Sequence, residues 1–120
     1  MITILLGSDS LAKKLYINEA AKKAGAEVET YTDPGTIPQL SSVLFAQQLF
    51  GGPKILVLDG VWKKIDADEL LEKIGDNKSA QLYIVEESLD KRVKANQAFL
   101  KNDKVVVVEL NAPAGTRAAA

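Results

Sequence analysis

The 120-residue chain contains no cysteine and no histidine. Their absence excludes disulfide bonds, thiolate nucleophiles, a histidine general base and zinc sites built from Cys and His. The chain also lacks an excess of positive charge, since its net charge is -1 and its pI is about 5.5. Proteins that bind duplex DNA directly carry a basic patch or stripe. We therefore expect no strong direct DNA binding by this chain.

Long apolar runs are also missing. The longest runs have the length of a strand, far below the roughly 20 residues that a membrane-spanning helix needs. The first residues show no basic region followed by an apolar stretch of signal-peptide length. These absences favour a cytoplasmic protein without a membrane partner. The composition, 47% hydrophobic and 26% charged, is ordinary for one globular domain whose core needs no metal or disulfide.

Short apolar runs rich in β-branched residues predict four buried strands, at residues 2–6, 55–58, 82–85 and 105–108. Uninterrupted runs of this kind suit strands of a parallel sheet that is covered on both faces. Residues 27–31 alternate more between polar and apolar side chains. This fifth strand is therefore expected nearer an edge of the sheet.

Helical patterns fall between these strands, at residues 10–24, 36–48, 66–74 and 90–101. Asp9 or Ser10 can cap the first helix, and Gly25 can end it. The second helix opens like a capping box with proline in its first turn. The last helix is expected to share one face among Leu89, Val93 and Leu100.

The alternation of strands and helices indicates the fold class. Right-handed crossovers then give a three-layer α/β/α domain with a five-stranded parallel sheet, which we expect to span residues 1–111. Residues 112–120 contain five alanines together with one proline and one glycine. We expect this segment to be a linker toward a further domain.

The loop after the first strand partly matches the phosphate-loop pattern G-x-x-x-x-G-K-[ST], with Gly7 and Lys13 in place. Ala12 stands where the second glycine belongs and adds a Cβ where the backbone must curl around phosphates. Lys14 replaces the hydroxyl that binds Mg²⁺, and Asp9 puts a negative charge in the would-be anion cradle. Each departure weakens phosphate binding.

Asp59 ends an apolar strand, as a metal-organising aspartate would, but Gly60 follows where an ATPase of this class has its glutamate. One interpretation is a weak nucleotide site that uses Lys13 and Asp59. The other is a loop retained in shape only, with Gly7 making the turn, Ser10 capping and Lys13 solvated. We favour the second interpretation, and we expect neither ATP hydrolysis nor a cofactor.

Three segments carry motifs of a known family: Gly-Ser-Asp after an apolar strand at residues 7–9, Leu-Phe-Gly at residues 49–51 and Leu-Asp-Lys-Arg at residues 89–92. In this order they resemble the N-terminal domain of the bacterial DNA polymerase III delta subunit. Residues 2–10, Ile-Thr-Ile-Leu-Leu-Gly-Ser-Asp-Ser, resemble its apolar strand followed by Gly-x-Asp. Residues 47–58 resemble its Leu-Phe-Gly strand entry, and residues 86–94 contain its Leu-Asp-Lys-Arg helix start. The chain departs from the family pattern at Asp59, and at Leu11-Ala12, where the family commonly has an aromatic-Leu pair.

The resemblance implies an AAA+-like fold of the P-loop NTPase class that has lost ATP hydrolysis. It implies a non-catalytic clamp-loader part, which binds the sliding clamp (the beta subunit) and helps to open it during DNA replication. Polymerisation by the DNA polymerase III holoenzyme, a DNA-directed DNA polymerase, lies in other subunits. Contacts with the other clamp-loader subunits belong to later domains, which this chain is expected to lack.

The strongest candidates for the clamp contact are Leu49 and Phe50, which precede a Gly-Gly-Pro turn. A protruding Leu-Phe pair can fill an apolar pocket on a partner. Gln47 and Gln48 precede the pair, although the glutamine position of the family lies nearer Phe45, which flanks either the core or the contact. From the pattern alone, burial of the pair at a helix end is favoured. The resemblance favours the contact.

Other conspicuous residues receive structural interpretations. Trp62 is expected to cover the end of the sheet, and a partner contact is the alternative. The charged residues after the third buried run are predicted to lie on a solvated surface. They are the acidic pair Glu86 and Glu87 and the basic residues Lys91, Arg92 and Lys94. Two alternative functions remain open: a small P-loop-like hydrolase, and a protein-interaction module outside replication.

Overall fold

The computed structural model describes residues 2–32, 54–64, 68, 70–71 and 81–111. The strands are β1 (Ile2–Leu6), β2 (Glu27–Tyr31), β3 (Lys54–Asp59), β4 (Gln81–Val85) and β5 (Val105–Glu109). The helices are α1 (Ser10–Ala24) and α2 (Lys94–Lys101), with a short 3-10 turn at Trp62–Lys64. All five predicted strands are confirmed to within one residue at each end. The predicted helix at residues 36–48 lies outside the described residues, as does most of the one at 66–74.

The described strands form one sheet with the order β2-β3-β4-β1-β5, and every neighbouring pair is parallel. The predicted five-stranded parallel sheet is therefore confirmed, and so is the edge position of β2. In the two commonest doubly wound sheets, β1 is hydrogen-bonded to β2. Here β1 lies between β4 and β5, so the connection from β1 to β2 passes across β4 and β3.

The two faces of the sheet are covered by different helices. Successive side chains of a strand point to opposite faces. On β1, Leu5 belongs to the cluster that contains Ile17 of α1, whereas Ile4 belongs to the cluster that contains Phe99 of α2. The inner strands therefore carry apolar residues on both faces, which is why their sequences read as uninterrupted apolar runs.

Both ends of α1 are where the sequence predicts them. Asp9, and not Ser10, is the N-cap, because its carboxylate accepts a hydrogen bond from Ala12 N at 2.9 Å. Gly25 ends the helix in the left-handed conformation, with φ of 62°. Among the helices described, none is both long enough and apolar enough to cross a membrane.

The last helix starts later than predicted. It begins at Lys94, because residues 90–93 form a turn in which Asp90 Oδ1 accepts a hydrogen bond from Arg92 N at 3.0 Å. An aspartate that binds the backbone two residues ahead favours a turn over a helix. The predicted buried face is also wrong at Val93, which is 45% exposed. Phe99 is the buried residue of α2.

Candidate functional site

The candidate site lies at the carboxyl ends of β1 and β4, which are neighbours in the sheet. The chain leaving β1 enters α1 on one face, and the chain leaving β4 leads to α2 on the other face. Ligands of open α/β sheets bind in the crevice at such a topological switch point. We call this place the switch-point crevice, and its walls are Gly7 and Asp9 after β1 and Glu86 after β4.

Lys13 fills the switch-point crevice. Its side chain is only 6% exposed, and its Nζ donates to Gly7 O at 2.8 Å and to Glu86 O at 3.3 Å. The prediction of a solvated Lys13 is therefore wrong. Helical side chains lean toward the helix N-terminus, which directs this one back over the loop. The two carbonyl oxygens accept hydrogen bonds from the ammonium group there, which offsets part of the cost of its burial.

The backbone amides of residues 7–9 all have acceptors within the chain. Three successive N–H groups donate to neighbouring loops: Gly7 N to Glu87 O at 2.9 Å, Ser8 N to Asn111 Oδ1 at 3.1 Å, and Asp9 N to Leu110 O at 3.0 Å. In a phosphate loop, successive amides point together at the anion. These three amides already have acceptors within the chain, so this part of the loop presents no anion cradle.

Gly7 makes the turn that the sequence predicts, for a reason that only the fold supplies. Its φ is +117°, and a Cβ built on it would lie 2.3 Å from Leu110 O. The close approach of the loop after β5 therefore excludes a side chain at this position. Asp9 adds a carboxylate at the entrance of the same loop, where it caps α1. A negative charge at this place opposes phosphate binding.

Glu86 connects β1, α1 and the turn after β3 at the carboxyl edge. Its N–H donates to Leu5 O at 3.1 Å, its carbonyl accepts from Lys13, and its carboxylate accepts from Trp62 N at 3.3 Å. Burial raises the pKa of this half-buried carboxyl above its ordinary value, and the nearby charge of Asp59 adds to the effect. The prediction of a solvated glutamate is therefore wrong for Glu86, whereas Glu87 is exposed.

The sequence feature that could identify Glu86 as a site residue is its position after a strand, and not the fact that it is a glutamate. It directly follows the apolar run that forms β4, and residues after the carboxyl ends of parallel strands line the ligand edge of such sheets. Charge alone does not separate it from its exposed neighbour. The strand order decides the difference, because β4 lies next to β1 and brings Glu86 beside the first loop.

Asp59 lines a pocket beside the crevice instead of a metal site. The pocket has a volume of about 340 Å³, and it lies between α1, which contributes Lys13 to its lining, and the strands β2, β3 and β4. Lys14, which stands where a phosphate loop has its metal-binding hydroxyl, lines the same pocket. Over the described part of the chain, no three acidic or other metal-binding side chains gather into a cation site. The residues present do not fit a bound Mg²⁺.

Trp62 has the structural role that the sequence predicts. It is buried in the larger core cluster, and its Nε1 donates to Asn96 Oδ1 at 2.9 Å. The basic residues that follow Asp90 are exposed, which confirms the predicted solvated surface. Arg92 forms its ion pair with Asp90 at 3.1 Å, while its side chain remains 91% exposed.

The predicted clamp contact, Phe45, Gln47, Gln48, Leu49 and Phe50, lies outside the described residues, and so it stays a prediction. No protein-family model matches this sequence, and no curated protein matches it in a sequence search. In the described residues, the Lys13 ammonium and the carbonyl groups of Gly7 and Glu86 fill the crevice.

Proposed function

We propose that this chain is a non-catalytic clamp-loader domain, which binds a sliding clamp and helps to open it during DNA replication. The observation that carries the proposal is the state of the switch-point crevice. A subunit that hydrolyses ATP needs free amides and a free lysine around the phosphates. Here Lys13 donates to two carbonyl oxygens, and three loop amides have acceptors inside the chain.

The strand order supports the finer fold that this proposal requires. β1 lies between β4 and β5 in an all-parallel sheet, which is compatible with the AAA+-like fold that the resemblance implies. A domain with that sheet and with a filled crevice is what a clamp-loader subunit without ATPase activity needs. The resemblance of residues 2–10, 47–58 and 86–94 to the delta subunit points to the same function.

In the proposed mechanism, Leu49 and Phe50 enter an apolar pocket on the clamp, with Gln47, Gln48 and Phe45 at the border of the contact. The domain favours the opened clamp only by its higher affinity for that form. ATP is spent by other clamp-loader subunits. The protein acts in the cytoplasm and makes no strong DNA contact of its own.

Surface plasmon resonance with the cognate clamp, without nucleotide, tests the proposal. The wild-type chain binds, and the Leu49→Ala/Phe50→Ala variant loses at least about 100-fold in affinity, since each truncated anchor costs about 2 kcal/mol or more. The matched control is Leu11→Ala/Leu15→Ala, which removes apolar side chains that are 66% and 55% exposed on α1. This control keeps wild-type affinity.

Two results contradict the proposal in different ways. Unchanged affinity of the Leu49→Ala/Phe50→Ala variant refutes the assigned contact, and absence of wild-type binding refutes the clamp function. Mg-ATP tests the competing hydrolase, because a ligand that binds the folded state raises the melting temperature by mass action. We expect no such rise.

A further inference from the structure

The switch-point crevice presents carbonyl acceptors, whereas the phosphate loop that its sequence partly matches presents N–H donors to a ligand. The carbonyl oxygens of Gly7 and Glu86 face inward, where both accept from one nitrogen. The amides of residues 7–9 already have acceptors within the chain: Gly7 N donates to the loop after β4, and Ser8 N and Asp9 N donate to the loop after β5. A cavity lined by carbonyl oxygens holds a cation and repels phosphate.

We infer that the switch-point crevice is a binding site for a primary ammonium group, and that Lys13 is its built-in occupant. An ammonium group has three donors and no acceptor. Lys13 uses two acceptors at 2.8 and 3.3 Å, from loops on neighbouring strands. The ammonium thereby links the loop after β1 to the loop after β4 in the way that a bound ligand links the walls of its site.

The surroundings favour a cation and disfavour an anion. The Glu86 carboxyl lies close enough for the charge of Lys13 to act on it, and Asp59 adds a second negative charge nearby. A nearby negative charge attracts an ammonium group and repels a phosphate. This inference is independent of the clamp proposal.

Chemical rescue of Lys13→Ala tests the inference. The substitution empties the crevice and leaves two carbonyl oxygens without their ammonium donor. Because hydrogen bonds to charged groups are among the stronger ones, we expect the melting temperature to fall by roughly 5–10 °C. n-Propylammonium supplies the carbons and the ammonium that the substitution removes. Its addition raises the melting temperature of the variant in a saturable manner.

The controls separate ammonium binding from general salt and apolar effects. n-Propanol has the same carbons without the charge, and tetramethylammonium has the charge without N–H donors, so neither restores the variant. Lys14→Ala is the matched variant, because Lys14 is the next residue and is exposed. Its melting temperature stays near that of the wild type and does not respond to n-propylammonium.

Several outcomes overturn the inference. One is an equal response of wild type, Lys13→Ala and Lys14→Ala to n-propylammonium, and another is full rescue by n-propanol. If Lys13→Ala does not fold alone, its refolding yield with and without n-propylammonium gives the same readout. Lys13→Met keeps the apolar stem and removes the ammonium, and a melting temperature equal to that of the wild type also refutes the role of the charge.

Discussion

The ring of Trp62 packs against the ring of Phe99, with centroids 4.7 Å apart and planes tilted by 55°. Tilted aromatic pairs at this separation are favourable beyond the area that they bury. The pair joins the turn after β3 to α2, on the face of the sheet opposite α1. The turn after β3 also contacts Glu86, whose carboxylate accepts a hydrogen bond from Trp62 N.

Phe99→Ala tests the importance of this contact. Phe99 is 1% exposed, and truncation of a buried phenylalanine costs about 3–5 kcal/mol in the free energy of unfolding. Urea unfolding measures the loss. The control on the same part of the chain is Val93→Ala, at an exposed position, where we expect a change within about 0.5 kcal/mol. Similar effects of the two substitutions would contradict the assigned core.

Two glycines with positive φ differ in what surrounds them, and alanine substitutions separate the two effects. At Gly25, φ is +62° and nothing lies within 4 Å of a built Cβ. Gly25→Ala therefore costs only the left-handed conformation, about 1–2 kcal/mol. At Gly7 the Cβ also meets Leu110 O at 2.3 Å. Gly7→Ala should cost clearly more in urea unfolding, and an equal or smaller cost would contradict the described loop packing.

We expect the folded protein to lose stability at high pH because of Tyr31. The pKa of Tyr31 is raised from 10.0 to about 12. Partial burial is the larger cause, and the hydrogen bond that its hydroxyl donates to Glu29 at 2.7 Å is the second. Since the folded pKa lies above the unfolded one, this contribution is complete below pH 10 and is lost as pH rises toward 12.

The tyrosinate absorbance of the folded protein measures this titration. Tyr31→Phe should remove one late-titrating phenol and flatten the decline in stability over the same interval, relative to the wild type. Tyr83 serves as an internal reference, because its pKa is also raised and it remains in both proteins. Identical titration curves for wild type and variant would contradict the assigned environment of Tyr31.

The contribution of Glu86 to stability should depend on pH in the opposite direction from that of a carboxylate in an ion pair. The Glu86→Gln substitution tests this. Burial raises the pKa of Glu86 above 4.5, so its contribution is complete below the unfolded pKa and is lost as pH rises through the folded pKa. Glutamine keeps an acceptor for Trp62 N and never ionises. We expect the two proteins to be equally stable in acid and the variant to become the more stable one toward neutral pH.

Urea unfolding at a series of pH values checks this prediction. A matched control is Glu87→Gln, at the exposed neighbouring position, whose stability should follow that of the wild type throughout. A variant at position 86 that loses stability relative to the wild type toward neutral pH would show that the carboxylate is stabilising, contrary to the described burial.

The strands and the ends of α1 could be predicted because the residues that determine them are close together in the sequence. Apolar runs and β-branched residues produce the strands, and the start and end of α1 follow from Asp9 and Gly25, which act within one turn of the helix. The start of α2 was predicted wrongly. There, the Asp90 carboxylate accepts a hydrogen bond from Arg92 N, and this turn competes with the helix.

The sequence by itself determined the strands, the parallel α/β class, the edge position of β2 and the damage to the phosphate-loop pattern, because each depends on residue type and spacing. Only the tertiary structure decided that β4 lies beside β1, which brings Glu86 O within reach of Lys13 Nζ across 73 positions of the chain. Only the tertiary structure turned three loop amides toward Glu87, Leu110 and Asn111. Hydrogen bonds between such distant residues depend on strand order, and no local pattern encodes that order.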